Sequence, residues 1–254
     1  MDYQNEIEKI ANWLLDYQKN SGCGGYVCGI SGGVDSAIIS SLCCKAVGKG
    51  KFIGIYLPCD SSPIMEIDSI QLAENLGIEL RVANLIDSYN AIIKGLEEGG
   101  ETVSILTKAN TKARLRMTYL FALANQYNYL VVGTSNKSEM DIGYCTVGGD
   151  QICSVEPLGN YYKTEVYEMA ELISEIPKNI IDKPASADLY QGQTDEEELG
   201  ITYERLDIVL KHYHGKYGGY NNYQGDVSQE EFDKVSAMVE KARYKNKVPP
   251  RYIR

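Results

Sequence analysis

The sequence predicts an α/β fold, a parallel sheet with helices on both faces, and three observations carry that prediction. Short apolar runs, Tyr26 to Ile30, Phe52 to Leu57 and Tyr129 to Val132, alternate with longer segments of helical periodicity. Glycine punctuates the joins, as in Gly48-Lys49-Gly50 and Gly77. The 254 residues, 44% of them hydrophobic, suffice for one sizeable core, so a single domain over residues 1–254 is expected.

The elements follow in order. Tyr3 to Gln18 reads as an amphipathic helix with Ile7, Ile10, Trp13, Leu14 and Tyr17 at helical spacing. Tyr26 to Ile30 is a buried strand that runs into Ser31-Gly32-Gly33 and then a helix from about Asp35 to Val47. Phe52 to Leu57, Pro63 to Leu76 and Glu79 to Val82 repeat the strand and helix alternation. Thr111 to Tyr127 reads as a long helix whose core face is Leu115, Tyr119, Ala122 and Leu123, feeding the strand Tyr129 to Val132. A further helix covers Lys163 to Ile173. After Pro177 the chain turns polar and acidic, and Lys211 to Gly225 is rich in Gly, Tyr and Asn. Short helices are expected over Thr202 to Tyr213 and Ser228 to Arg243, the second opened by a Ser228/Glu231 capping box. These peripheral segments read by default as solvated connections, with lids or partner contacts as the alternative.

Composition excludes several function classes. With 35 acidic against 25 basic residues the formal charge is -10, which speaks against a nucleic-acid binder that relies on a positive surface. Apolar runs fall far short of the ~20 residues a membrane span needs, and the N-terminus has neither a basic start nor an apolar stretch of signal type. A cytoplasmic protein is expected. The seven cysteines, an odd number without a Cys-x-x-Cys pair, read as reduced thiols acting as small hydrophobes. His212 and His214 are the only histidines and make a poor zinc site or catalytic triad.

Chemistry is carried by Ser31-Gly32-Gly33-Val34-Asp35-Ser36. This loop joins a buried strand to a helix N-terminus, where unpaired backbone N–H groups and the helix dipole favour phosphate oxygens. Ser31 and Ser36 add hydroxyls, and Asp35 offers a carboxylate for a Mg²⁺ carried on those phosphates. The Gly-Lys-[Ser/Thr] ending of a Walker loop is missing, and so is G-x-G-x-x-G. A glycine-rich turn alone is as compatible with a structural turn as with a site.

The S-G-G-x-D-S motif resembles the loop of the ATP pyrophosphatases. Downstream, Asn110 to Met117, Val132-Gly133-Thr134-Ser135-Asn136-Lys137-Ser138-Glu139, Pro157-Leu158-Gly159 through Tyr162-Lys163-Thr164-Glu165, Ser186 to Leu189 through Gly192-Gln193-Thr194-Asp195-Glu196 to Gly200, and Lys245 through Val248-Pro249-Pro250 look, in the same order, like the NAD synthetases. That resemblance implies a Rossmann-like fold of the adenine nucleotide alpha hydrolase type. It implies a ligase of NAD biosynthesis: the nicotinate carboxylate of deamido-NAD attacks the α-phosphate of ATP, and ammonia displaces AMP from the adenylate. It further implies Mg²⁺ and a homodimer.

Carried over by motif, Gly29, Ile30, Ser31, Gly32, Gly33, Val34, Asp35 and Ser36 hold the ATP phosphates. Thr134, Lys163 and Ser186 also contact ATP, and Asp35 and Glu139 hold the metal. Arg114, Asp150 and Lys245 contact deamido-NAD, with Asp150 as the catalytic carboxylate that holds ammonium. In isolation, Lys112, Arg114 and Arg116 read as a basic helix face; Asp188, Asp195, Glu196 and Glu197 belong to a segment that resembles a mobile family loop near the substrates, and otherwise read as a solvated charge run. Glutamine use would need a fused amidase domain, for which the chain leaves no room; a separate glutaminase partner stays open.

The chain also departs from the family pattern. Val147 stands where many members carry lysine, Gly148 where an aromatic is usual, Ser154 where an aspartate follows four residues after Asp150, and Tyr56 where some have arginine. These changes bear on deamido-NAD contacts more than on the ATP loop. They keep two rivals open: an ATP pyrophosphatase that amidates or thiolates a different acceptor, and a non-catalytic adenine-nucleotide binding module.

Overall fold

Alternate side chains of the strand β1 (Tyr26–Gly29) point to opposite faces of a sheet built around it. In the computed structural model, which describes residues 1–190, 192–217, 226–247 and 250–252, β1 pairs in parallel with β2 (Phe52–Tyr56) and with β4 (Leu130–Val131). β3 (Leu80–Val82) pairs outside β2, so the order among the described residues is β3-β2-β1-β4. The chain builds outward from β1 to β3, then returns to the other side of β1. That reversal opens a crevice at the carboxyl ends of β1 and β4, the place where open α/β sheets take ligands. A parallel bridge between Val132 and Val155 carries the sheet past β4.

The helices are α1 (Tyr3–Ser21), α2 (Val34–Val47), α3 (Pro63–Leu76), α4 (Ile86–Glu98), α5 (Ile105–Tyr127) and α6 (Lys137–Ile142). They continue with α7 (Lys163–Ala170), α8 (Lys178–Asp182), α9 (Asp195–Leu199), α10 (Tyr203–Tyr217) and α11 (Gln229–Ala242). Tyr26 and Cys28 of β1 pack on α1, α2, α7 and α8, whereas Val27, with Ile53, Ile55 and Val131, packs on α5. β2 is buried along its whole length, as a strand covered on both faces must be. No helix among the described residues is long and apolar enough to cross a membrane.

Several expectations are corrected. Trp13 and Tyr17 of α1 are 45% and 40% exposed, and Ala11 and Gln18 turn inward in their place. α5 begins at Ile105, because the Ser104 hydroxyl accepts from the Thr107 N–H at 3.1 Å and caps it. Its buried face is Ala113, Met117, Leu120 and Ala124; Leu115, Tyr119 and Leu123 are only partly buried, and Ala122 is exposed. The helix α7 stops at Ala170, short of Ile173. α4 has no counterpart in the sequence reading, and α10 runs on to Tyr217.

The C-terminal helices are more than a solvated connection. Leu206, Val209 and Leu210 of α10 pack with Phe232, Val235 and Val239 of α11 in a core of their own, which also takes Ile142 and Tyr162. The Ser228/Glu231 capping box is formed, with Glu231 accepting from the Ser228 N–H at 3.0 Å. The Gly, Tyr and Asn-rich stretch over 218–225 and the Val248-Pro249 pair lie outside the described residues.

Candidate active site

The glycine loop leaves β1 at the crevice and enters α2 at Val34. Gly32 takes a φ of +80°, and a side chain there would meet the Met65 carbonyl oxygen at 2.7 Å, so the turn requires glycine. The Ser36 hydroxyl donates to the Gly33 carbonyl at 2.9 Å and accepts from the Ser31 N–H at 3.1 Å, which curls the loop around the helix N-terminus. Lys183, from the segment after α8, donates to the Gly32 carbonyl at 2.9 Å and pairs with buried Asp68 of α3. Asn179 holds the other Asp68 oxygen at 2.7 Å.

Across the crevice the loop after β4 leads into α6. Asn136 caps this helix by accepting from the Glu139 N–H at 3.1 Å, while Glu139 Oε2 accepts from the Asn136 N–H at 3.3 Å. The same Asn136 donates to Asp35 at 3.0 Å, and Glu139 Oε1 lies 3.2 Å from Lys163 Nζ. Lys163, at the start of α7, also pairs with Asp35. A local cap and a charge cluster are therefore one construction, and Asp35 and Glu139 converge on one cationic nitrogen.

Burial opposes the charge on Glu139, and the neighbouring Asp35 and Asp195 carboxylates add to it, so its pKa is raised although Lys163 pulls the other way. Burial also works against the Lys163 ammonium, but Asp35 and Glu139 outweigh it and hold the lysine above its ordinary value. Asp195 is 3% exposed and accepts from the Tyr203 hydroxyl at 2.9 Å, while its Oδ1 has no partner among the described residues. Burial raises its pKa as well. The solvated reading of Asp195 is thus overturned: the α9 N-terminus tucks it against the cluster.

The other expected residues form a neighbouring group. Arg114 donates to the Val147 carbonyl at 3.1 Å, Asp150 accepts from the Thr146 N–H at 3.0 Å, and Lys245 donates to the Gly143 and Cys145 carbonyls at 2.7 Å each. Thr134 lies in the loop between β4 and α6. Ser186 follows Ala185, whose carbonyl accepts from the Asp195 N–H at 2.9 Å, and so stands beside the cluster around Lys163. Of the expected basic helix face only Arg114 turns outward. Lys112 is buried and donates to the Leu189 carbonyl at 2.9 Å, and Arg116 donates to the Leu57 carbonyl at 3.2 Å.

The NAD synthase model matches residues 6–249. The NH(3)-dependent NAD(+) synthetase of Methanocaldococcus jannaschii is 39% identical over 246 residues, covering 96% of this chain and 95% of that one. The chain belongs to the NAD synthase family. Its fold agrees: an NMN synthetase from Francisella tularensis aligns with a TM-score of 0.88 at 33% identity over 99% of both chains. The NH3-dependent NAD synthetase from Campylobacter jejuni, solved with a nitrate ion, aligns at 0.83 and 28% identity over the full length of both chains.

Against this NAD synthase background, sequence reasoning missed Asn136, Lys183, Asp68, Tyr203 and Asp207. Asn136 and Glu139 carried a usable signal, the N-x-x-E capping pattern just after a strand. Asp207 had none. It is buried in α10, accepts from the Thr164 N–H at 2.9 Å and receives the Ser138 hydroxyl, whose oxygen in turn accepts from the Lys163 N–H at 2.8 Å.

Proposed function

We propose that this chain is a carbon-nitrogen ligase that amidates deamido-NAD with ammonia at the expense of ATP, through an adenylated carboxylate, releasing AMP and pyrophosphate. The observation that carries the reading is the convergence of Asp35 and Glu139 on Lys163 beside the glycine loop, at the switch point of the sheet. In the first step a nicotinate oxygen bonds to the α-phosphorus as the bond to the β-phosphate oxygen breaks. In the second, ammonia bonds to the acyl carbon and the bond to AMP breaks. Both steps depend on holding two anions in line, which the loop N–H groups and Lys163 serve.

Mg²⁺ suits the donor set. Asp35 and Glu139 bring two hard carboxylates to the same Lys163 ammonium, and Mg²⁺ characteristically takes one or two carboxylates plus substrate phosphates. Asp35 and Glu139 would hold it, and it would neutralise phosphate charge. Substrate phosphate oxygens and water would complete its shell. Ser31 would donate to phosphate, while Ser36, whose hydroxyl donates to the Gly33 carbonyl, would shape the loop around it. Thr134 and Ser186 line the ATP side, and Arg114, Asp150 and Lys245 the acceptor side. A cytoplasmic homodimer, fed by free ammonia or by a separate glutaminase, completes the proposal.

The test is direct: deamido-NAD, ATP, Mg²⁺ and ammonium should give NAD, AMP and pyrophosphate in equal amounts, and glutamine alone should give none. AMP release without any amide would refute the reading. A second acceptor is favoured by the likeness to the Francisella NMN synthetase. Nicotinate mononucleotide carries the same carboxyl, and the changes at Val147, Gly148 and Ser154 lie on the acceptor side. A kcat/KM for the mononucleotide above that for deamido-NAD would decide for it.

A further inference from the structure

Lys112 is only 3% exposed, although it carries an ammonium group. Packing does not account for it, because an apolar side chain of similar volume would fill the space without stripping a charge of water. The use of the ammonium lies in what it holds. Nζ donates to the Leu189 carbonyl at 2.9 Å and to Asp60 Oδ2 at 3.3 Å, and it lies 5.5 Å from the centre of the Tyr89 ring. These partners come from the segment between α8 and α9, the loop after β2, and α4. One nitrogen of α5 therefore gathers three segments.

Two of the contacts fall at backbone positions that need holding. Asp60 has a φ of +60°, and Asp188, the residue before Leu189, a φ of +48°. Residues other than glycine keep that conformation only where their surroundings impose it. Lys112 bonds to the first directly and to the second through the next carbonyl. The Asp60 side chain is 76% exposed, so water competes for its carboxylate, and the shorter bond to Leu189 is the firmer of the two.

The turn that Lys112 pins reaches both sides of the candidate ATP site. The Asp188 carboxylate accepts from the Ser62 N–H at 3.1 Å; Ser62 stands at the N-cap position of α3, whose first turn packs on the glycine loop at Gly32. On the other side, the Asp188 N–H donates to the Ser186 hydroxyl at 3.0 Å. A hydroxyl that accepts from its own turn keeps its hydrogen for a phosphate oxygen. The loop after β2 has a second hold from α5, since Arg116 donates to the Leu57 carbonyl and the Ser61 hydroxyl. Among the described residues, the segment carrying Ser186 receives its only hydrogen bond from α5 through Lys112.

We propose that Lys112 is a positioning residue for ATP binding: it pins the Asp188-Leu189 turn and so aims the Ser186 hydroxyl at the phosphates held by the glycine loop. The proposal rests on the ATP-dependent reading of the site. With its donors taken by Leu189, Asp60 and the Tyr89 ring face, the ammonium acts through the backbone of the turn. Its removal loosens ATP and leaves the acceptor side as it was. Packing and positioning then differ in sign. Lys112→Met takes away a buried charge and strands no carboxylate, since Asp60 is open to water, so stability should hold or rise while ATP affinity falls.

Calorimetric titration of Mg²⁺ and ATP into wild type, Lys112→Met and Lys112→Arg, without an acceptor, reads that affinity directly. Losing the charge-assisted bond to Leu189 predicts a Kd about ten-fold weaker in Lys112→Met, with Lys112→Arg recovering part of it. In the full reaction KM for ATP should rise alongside, while kcat and the KM values for deamido-NAD and ammonium stay within about two-fold of wild type. Amide hydrogen exchange of Asp188 and Leu189 should quicken, with β1 and α2 keeping wild-type protection. Asp188→Ala should mimic Lys112→Met, and the double variant should add little, because both act on one turn. An unchanged Kd, a weaker Kd that only follows a lowered melting temperature, an equal rise in KM for deamido-NAD, or additive losses in the double variant would each overturn the proposal. A wild type that binds ATP but forms no amide removes the amidation reading and leaves the role of Lys112 standing; a wild type that binds no ATP removes both.

Discussion

Replacing Lys183 with methionine tests how the glycine loop is held. The side chain keeps its length but loses its ammonium, and with it the bond to the Gly32 carbonyl and the pair with Asp68. Asp68 is 1% exposed and would keep only the Asn179 amide. Breaking one side of a buried pair costs about 3–5 kcal/mol, because the stranded charge is left unsolvated. The Lys183 side chain is 18% exposed, which admits some water and favours the lower end.

Equilibrium urea unfolding of Lys183→Met, Asp68→Asn and the double variant measures this as a cycle. The double variant should be more stable than Lys183→Met, since the stranded charge has gone, and the coupling should reach about 1–3 kcal/mol. KM for ATP should rise in both variants that lack Lys183, because Gly32 is held at its φ of +80° partly through that carbonyl bond. Additive effects within about 0.5 kcal/mol, or an unchanged KM, would refute the clamp.

Two further outcomes follow from buried carboxylates. Glu156 has a folded pKa of about 7 against an ordinary 4.5, so the folded state binds more protons and wild-type stability should fall as pH rises between those values. Glu156→Gln does not titrate, and its advantage should grow across that window by on the order of 2–3 kcal/mol; a pH-independent difference in melting temperature would contradict this. Asp207→Ala removes the acceptor for the Ser138 hydroxyl and the Thr164 N–H, and should cost about 2–4 kcal/mol and depress kcat through Lys163. An intact kcat in that variant would show that Lys163 is positioned without it.

The parts of the site that were legible are those with local causes. An apolar strand, a glycine turn and a helix start occupy consecutive residues from Tyr26 to Val47, and the structure places each within a residue or so of expectation. Long-range pairs left no such trace. Lys183 and Asp68 are 115 residues apart, and only folding makes them neighbours. The face of α5 was misread for a related reason. Thr111 and Lys112 are buried because tertiary partners satisfy them, with Lys112 reaching the Leu189 carbonyl, so polarity ceased to mark the outside of the helix. Trp13 shows the converse, an apolar residue at the right spacing but beyond the edge of the buried stripe.

The C-terminal helices then acquire a function that their distance from the glycine loop conceals. Val235 of α11 is fully buried against Leu206 and Val209, and α10 presents Tyr203 to Asp195 and Asp207 to the start of α7. Val235→Ala should cost about 2–3 kcal/mol from the lost methyl groups and the space they leave. The loss falls on the layer that positions Lys163 and Asp195, so kcat should drop at temperatures well below the melting midpoint. Leu14→Ala is the control: Leu14 is also fully buried, but its carbonyl accepts from the Tyr26 hydroxyl at the amino end of the sheet, away from the crevice. That variant should melt earlier yet keep its kcat while folded. If both variants lost activity only in step with unfolding, α10 and α11 would be supports for the fold alone; a selective loss in Val235→Ala makes them part of the machinery.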